Sequence, residues 1–257
     1  MYKRQIYTLA DDVTLTNSTI AGNVAGIDGG GIFANGDDVT LTNSTISGNT
    51  AVGAGGGVHI GPSLTGSLTI DNSIIAGNAD DGTAPDLLAS NSVSTTVQSS
   101  VIGDTTGTLL VAGNNNLLNI DFTTVLETEV VGGVTVPLLT DNGGPVETIA
   151  LLANSPAIDA GDNALAIDAN GNPLLTDQRG AAFDRIFGST VDIGAFEFES
   201  GFLLGDINQD GVINFSDIPS FISILQNGDF LDEADANGDG VVNFADIPFF
   251  IQLLIAL

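Results

Sequence analysis

The chain has no cysteine and no tryptophan, only four basic residues, and just 6% aromatics among its 257 residues. Without cysteine it has neither a disulfide framework nor a thiolate metal site. Four Lys and Arg against 32 Asp and Glu leave a formal net charge of -28. Such a surface repels phosphate backbones and anionic lipid, which argues against nucleic-acid and membrane-surface partners and favours divalent cations. The one strongly apolar run, residues 247–257, is too short to span a bilayer. No secretory leader is visible either, because Lys3 and Arg4 are not followed by an apolar stretch. Residues 1–5 differ from everything after them and look like a translated adaptor scar, so the native N-terminus is expected upstream.

What the chain has is glycine, 33 residues of it, and 43% hydrophobic content, enough for a real core interrupted by tight turns. It also repeats itself. The string VTLTNSTIAGN at 13–23 recurs as VTLTNSTISGN at 39–49, 26 residues on, and more loosely as LTIDNSIIAGN at 68–78, a further 29 residues on. The copies form columns: Val13/Val39/Leu68, Leu15/Leu41/Ile70, Ile20/Ile46/Ile75 and Asn17/Asn43/Asn72. A Gly-Gly-Gly run at 29–31 returns at 55–57.

Val-Thr-Leu-Thr alternates apolar and polar, the period of a half-buried strand. A repeat this short cannot bury its apolar face alone, so the copies must stack and share one core. Parallel strands about 4.8 Å apart are expected, with aliphatic columns inside and the Asn columns hydrogen-bonding down the turns. The pattern resembles right-handed parallel β-helix proteins of the pectin-lyase-like kind and polymorphic outer-membrane repeats. From about residue 91 the repeat decays. The series DNGGP at 141–145, SPAIDAG at 155–161, DQRG at 177–180 and VDIGAFE at 191–197 resembles the closing region of bacterial surface β-helix proteins of the choice-of-anchor type.

The sharpest chemistry lies at the C-terminus. Residues 206–217, DINQDGVINFSD, fit the calcium-loop spacing D-x-[DN]-x-[DN]-G with an acid at loop position 12, and residues 235–246, DANGDGVVNFAD, repeat it 29 residues later. Calcium takes six to eight oxygens at about 2.3–2.6 Å. The expected ligands are Asp206, Asn208, Asp210, the Val212 carbonyl and Asp217 in the first loop, with Asn214 acting through water. In the second they are Asp235, Asn237, Asp239, the Val241 carbonyl and Asp246, with Asn243 acting through water. Gly211 and Gly240 allow the sharp turn. One such loop can arise by chance in an Asp/Asn/Gly-rich chain; two in matched register are a signal.

Each loop runs into a predicted amphipathic helix. Ile218, Phe221, Ile222 and Leu225 recur at i, i+3, i+4, i+7, and Ile247, Phe250, Ile251 and Leu254 copy them. Pro219 and Pro248 fall in the first turn, where a missing N–H costs little. No helix leads into either loop, so these are loop–helix halves. A duplicated pair of this kind closely resembles a type I dockerin, which implies two calcium ions, metal-dependent folding and attachment to a cohesin on a scaffold or surface. The small hydroxyl pair that family uses at loop positions 10 and 11 is replaced here by Phe215-Ser216 and Phe244-Ala245, and the basic residues common on its helices are absent. Calcium binding survives these departures; a conventional cohesin partner does not follow.

The expected architecture is therefore an all-β right-handed parallel β-helix over residues 1–200, closing over about 140–200, with a small all-α, calcium-binding dockerin-like domain over 201–257. The favoured function is a non-catalytic extracellular or cell-surface protein, anchored to a cohesin-like or other surface or scaffold protein, with polysaccharide as a further candidate partner. The alternative is the C-terminal part of a secreted polysaccharide lyase or glycoside hydrolase. No catalytic set is assigned. Arg179, a candidate base, is expected to pair with Asp177 or Asp184. The stacked Asp11-Asp12 and Asp37-Asp38 would suit inverting hydrolysis but read better as solvated turns. His59, which replaces Phe33 in the repeat, has no partner nearby in sequence.

Overall fold

The computed structural model describes residues 5–9, 11–36, 38–62, 66–82, 84–90, 93–108, 110, 114–199, 205, 207–208, 213–227, 231, 234, 236–237 and 241–255. The chain divides into two compact units, Met1–Phe198 and Glu199–Leu257.

The N-terminal unit is a parallel β-solenoid. Each coil contributes short strands to separate sheets, and corresponding strands pair in parallel across coils. The face with the longest strands stacks Val13–Thr16, Val39–Thr42, Ser67–Asp71 and Ser94–Gln98. The next stacks Thr19–Ala21, Thr45–Ser47, Ile74–Ile75, Val101–Ile102 and Leu117–Leu118. The columns read from the sequence are the observed registers: Val13 opposes Val39 and Val39 opposes Leu68, while Ile20 opposes Ile46 and Ile46 opposes Ile75. Leu41, Ile46, Leu68, Ile70 and Ile75 are fully buried, as alternation demands. The stack also runs further than the repeat: Ser94–Gln98 pairs with Ser67–Asp71 although its residues no longer match the consensus. Pairing needs only an apolar residue at alternate positions, and Val97 supplies it.

Two features of the turns hold the coils close. The Gly-Gly-Gly runs lie directly on one another, with Gly29, Gly30 and Gly31 donating to the carbonyls of Ala54, Gly55 and Gly56. A Cβ on Gly30 would collide with the Gly56 carbonyl oxygen, so a side chain there would force the coils apart. The second feature is an amide ladder, and it is not the expected one. Asn17, Asn43 and Asn72 adopt left-handed backbone at φ 47, 44 and 47 but do not bond one another: Asn17 and Asn72 donate to the Thr176 and Asp162 carbonyls, and neither amide atom of Asn43 has a partner among the described residues. The ladder is built instead by the last Asn of each repeat. Asn23 Nδ2 donates to Asn49 Oδ1 and Asn49 Nδ2 to Asn78 Oδ1, both at 3.0 Å, and Asn78 Nδ2 donates to Asp86 Oδ1 at 2.9 Å.

After Leu118 the chain stops coiling. It forms an antiparallel hairpin, Thr128–Val131 with Val134–Pro137, and a second pair, Leu139–Thr140 with Thr148–Ile149. The remainder to Phe198 is turns laid along the solenoid flank. Its attachment is specific: Asn17 Nδ2 donates to the Thr176 carbonyl, Thr19 Oγ1 to Gln178 Oε1, and Ala195 N to Thr45 Oγ1. Asn72 exchanges two hydrogen bonds with Asp162. A second core, around Ile74, Val101, Leu126, Ile149 and Ile193, fills the space between them.

Among the described residues the C-terminal unit contains two α-helices, α1 (Ile218–Asn227) and α2 (Ile247–Ile255). Its core joins Phe221 and Phe250, whose ring centroids are 4.4 Å apart, with Ile207, Ala234, Ala236 and Val242. Ile218, Ile224 and Leu225 pack on it from α1, and Ile247, Leu253 and Leu254 from α2. Ile222 and Ile251, read as core positions from their spacing, are instead 47% and 49% exposed. Ile224 and Leu253, six residues after the first residue of each helix, take their place, because the buried stripe follows i, i+3, i+6, i+7.

Candidate metal centre

The two loop–helix halves are closed in the same way. Asp217, at position 12 of the first loop, is fully buried. Its Oδ1 accepts the backbone N–H of Ile207 at 2.8 Å and of Asn208 at 3.0 Å, and its Oδ2 accepts that of Asn214 at 2.8 Å. A single carboxylate thus ties the start of the loop to its end. Asp246 is also fully buried and repeats the arrangement, accepting from Asn237 N at 3.1 Å and Asn243 N at 2.7 Å. Charge-assisted bonds of this type are the stronger class of hydrogen bond.

The asparagines at position 9 start the helices. Asn214 Oδ1 accepts from Ser216 N at 2.7 Å, and with Asp217 it completes a capping box. Asn243 Oδ1 accepts from Ala245 N at 2.8 Å. Asn208 turns its amide nitrogen to Ser216 Oγ, 2.8 Å away, and Val241 O accepts from Asn243 Nδ2 at 3.3 Å. Among the sequence-predicted ligands, Asn208, Asn214 and Asp217 therefore gather in one loop and Asn237, Val241, Asn243 and Asp246 in the other. Asp206, Asp210, Val212, Asp235 and Asp239 lie outside the described residues.

The donor set suits a hard cation. Every predicted ligand atom is a carboxylate, amide or carbonyl oxygen, with no imidazole or thiol among them. A carboxylate has about four lone-pair sites. Asp217 uses three of them on backbone N–H groups in the described residues, which leaves room for a metal contact. Within each loop, at position 10, stands an exposed aromatic residue: Phe215 is 74% and Phe244 75% exposed. Two phenylalanines at equivalent loop positions, both turned to solvent, form a repeated apolar feature in a chain poor in aromatics.

Other residues singled out in the sequence have structural roles. The Asp12 and Asp38 carboxylates form a turn column: Asp12 Oδ1 accepts Asp38 N at 2.9 Å, and Asp38 Oδ1 accepts Ser67 N and Oγ at 2.7 and 2.9 Å. Asp37 lies outside the described residues. His59 stacks in register on Phe33, ring centroids 5.2 Å apart, with Nδ1 at 3.7 Å from Asp28 Oδ2. Arg179 pairs with Asp177, Nε to Oδ2 at 2.8 Å, and not with the exposed Asp184. Its guanidinium also donates to the Glu197 carbonyl and lies between the rings of Phe183 and Phe196 at 3.8 and 4.0 Å.

Sequence reasoning missed a buried charge network in the closing region. Arg185 is fully buried, with Nη2 at 2.7 Å from Glu197 Oε2 and Nη1 reaching Asn17 Oδ1 at 3.2 Å on the solenoid. Asp192 lies beside them; burial, with Glu197 adding to it, pushes its carboxyl up to about 7. Asp86, the end of the amide ladder, is pushed up to about 6 by burial. The signal available in the sequence was the placement of both non-terminal arginines in a segment otherwise devoid of basic residues.

Residues 204–255 match the family of dockerin type I domains. No curated protein and no solved structure matches the chain. The chain thus carries a dockerin region at its C-terminus, preceded by a parallel β-solenoid. Dockerin domains bind calcium, assemble with cohesin partners and occur on extracellular or cell-surface proteins. Among the described residues no helix is long and apolar enough to cross a membrane.

Proposed function

We propose that this protein is a non-catalytic extracellular or surface protein whose C-terminal unit binds two calcium ions and docks the β-solenoid to a scaffold or surface partner. The carrying observation is the duplicated loop closure: Asp217 and Asp246, both fully buried, each join the two ends of a loop whose remaining donors are oxygens. Asp206, Asn208, Asp210, the Val212 carbonyl and Asp217 hold one ion, and Asp235, Asn237, Asp239, the Val241 carbonyl and Asp246 the other. Asn214 and Asn243, occupied as helix caps, reach the ion through water. Bound calcium supplies the positive charge that lets several carboxylates converge without mutual repulsion.

The docking surface is centred on Phe215 and Phe244. The exposed aromatics stand where the family places small hydroxyl residues, which supports a partner with an apolar socket. In this reading the solenoid is a rigid, right-handed spacer of the pectin-lyase-like kind. The carbohydrate-active alternative draws little from the turn carboxylates, because Asp12 and Asp38 are engaged by backbone donors.

Calorimetric titration of calcium tests the proposal. The expected stoichiometry is two ions per chain, falling to one in Asp217→Ala or Asp246→Ala and to none in the double variant. Native mass spectrometry that finds no bound ion under millimolar calcium refutes it.

A further inference from the structure

A cleft of about 410 Å³ opens on the N-terminal unit, between the solenoid turns and the hairpin of residues 128–137. Its volume falls in the range of small-molecule sites, about 300–1,000 Å³. Nothing in the calcium-docking function uses it. The amide ladder forms its floor, through Asn49, Asn78 and Asp86. The rest of its lining is mostly apolar and includes Phe122 and, from the hairpin, Val134 and Val136. The cleft exists because the turn residues are small. A Cβ on Gly77 would stand 2.7 Å from Phe122 Cγ, so any side chain there would displace the ring.

Three carboxylates line the cleft, Asp86, Asp104 and Asp121, and no Lys, Arg or His does. Asp104 uses Oδ1 to accept Thr106 N at 2.7 Å, and Asp121 uses Oδ1 to accept Thr123 N at 3.0 Å. Neither Oδ2 takes a donor within the described residues. The three acids do not converge as a metal-ligand set: among the described residues no group of three acidic or imidazole side chains could hold an ion. Negative charge spread along an apolar cleft that includes an aromatic ring suits a ligand with a cationic group and an apolar body. A small anion, such as a uronate, is repelled.

We propose that this cleft binds a small organic cation, an ammonium or guanidinium group carried on an apolar ring or chain. The charged group lies between Asp104 and Asp121, and the apolar body lies against Phe122 and the Val134–Val136 wall. Asp86 completes the negative floor; its carboxyl, with a pKa of about 6, is largely ionised at neutral pH.

The test is an amide NMR titration of the calcium-loaded full chain with benzylamine at physiological ionic strength. Benzyl alcohol, the same ring without the charge, is run in parallel. Expected are saturable shifts at Gly77, Gly103, Phe122 and Thr135, with much weaker effects from benzyl alcohol. Asp104→Asn with Asp121→Asn keeps both turn hydrogen bonds and removes both charges; it is expected to weaken benzylamine about fivefold to tenfold. Phe122→Ala is expected to weaken it about threefold. Shifts that fail to saturate and spread over the acidic surface would overturn the proposal. Equal binding of benzyl alcohol, or an unchanged affinity in the Asn double variant, would do the same.

Discussion

Both units are built by duplication from the same residues, Asn, Asp and Gly between short apolar runs, yet they stabilise those residues in opposite ways. In the solenoid the amide ladder finds neutral partners one coil away: Asn49 donates to Asn78 and receives from Asn23. Backbone strands repeat the same handover, and the apolar columns close over a continuous core. In the C-terminal unit there are only two copies, and among the described residues the core is six buried residues that include the Phe221–Phe250 pair. Its acidic loops cannot neutralise one another. A repeat that stacks satisfies itself, whereas on the proposed function a repeat that folds back on a single twin draws its balancing charge from bound calcium.

The largest expected effect follows directly. Chelation of calcium should abolish the helical circular-dichroism signal of the C-terminal unit while the β signal of the solenoid persists. A helical signal unaffected by chelator would erase the distinction between the units. Next comes a cut in the ladder. Asn49→Ala removes donors to Asn78 and the Ile20 carbonyl and strands the Asn23 amide, so it should destabilise the solenoid by about 2–3 kcal/mol in denaturant melts. It should leave calcium affinity unchanged.

Acidification should move the two units in opposite directions. Burial raises the Asp86 carboxyl to about 6 and the Asp192 carboxyl to about 7, well above the ordinary aspartate value. Between those limits the folded solenoid holds protons that the unfolded chain has lost, so its stability falls as pH rises through about 4 to 7. Lowering pH from about 8 to about 5 should therefore raise its melting temperature by several degrees. The calcium loops need ionised carboxylates, and the same change should weaken their metal affinity. Melting curves that shift together would contradict this. The smallest effect is expected at Asn43, fully buried with both amide atoms unpaired and φ at 44. Asn43→Gly suits that backbone and removes the unsatisfied amide, so stability should change by less than about 1 kcal/mol.

The sequence made the stacking legible because a column is a local property: Val13, Val39 and Leu68 announce themselves by equal spacing. The duplicated loop–helix pair was legible for the same reason, since each closing acid lies within one short stretch of the residues it ties together. Asn17, Asn43 and Asn72 misled because equal spacing fixes alignment but not hydrogen-bond partners: the flanking segment, at Thr176 and Asp162, takes up Asn17 and Asn72. Ile222 and Ile251 misled because a two-helix core is narrower than the apolar face that supplies it. The flank of the solenoid was not legible. Its contacts join residues far apart, such as Asn17 to Arg185 and Thr45 to Ala195, and no period connects them. The cleft escaped for the same reason, being shared by residues from Gly48 to Val136.

The amide ladder has a direction. One amide hydrogen is passed onward at each step, from Asn23 to Asn49, from Asn49 to Asn78 and from Asn78 to Asp86, while Asn49 and Asn78 also donate back to the Ile20 and Ile46 carbonyls. An ionised aspartate has nothing to hand on, so the line stops there, where the sheet through Ala79–Asp80 also ends. Coil number on this edge is thus counted by a terminator of one side chain. A builder wishing to splice in another coil could place it between two asparagines, and would have to restore an amide at residue 86 to place it after.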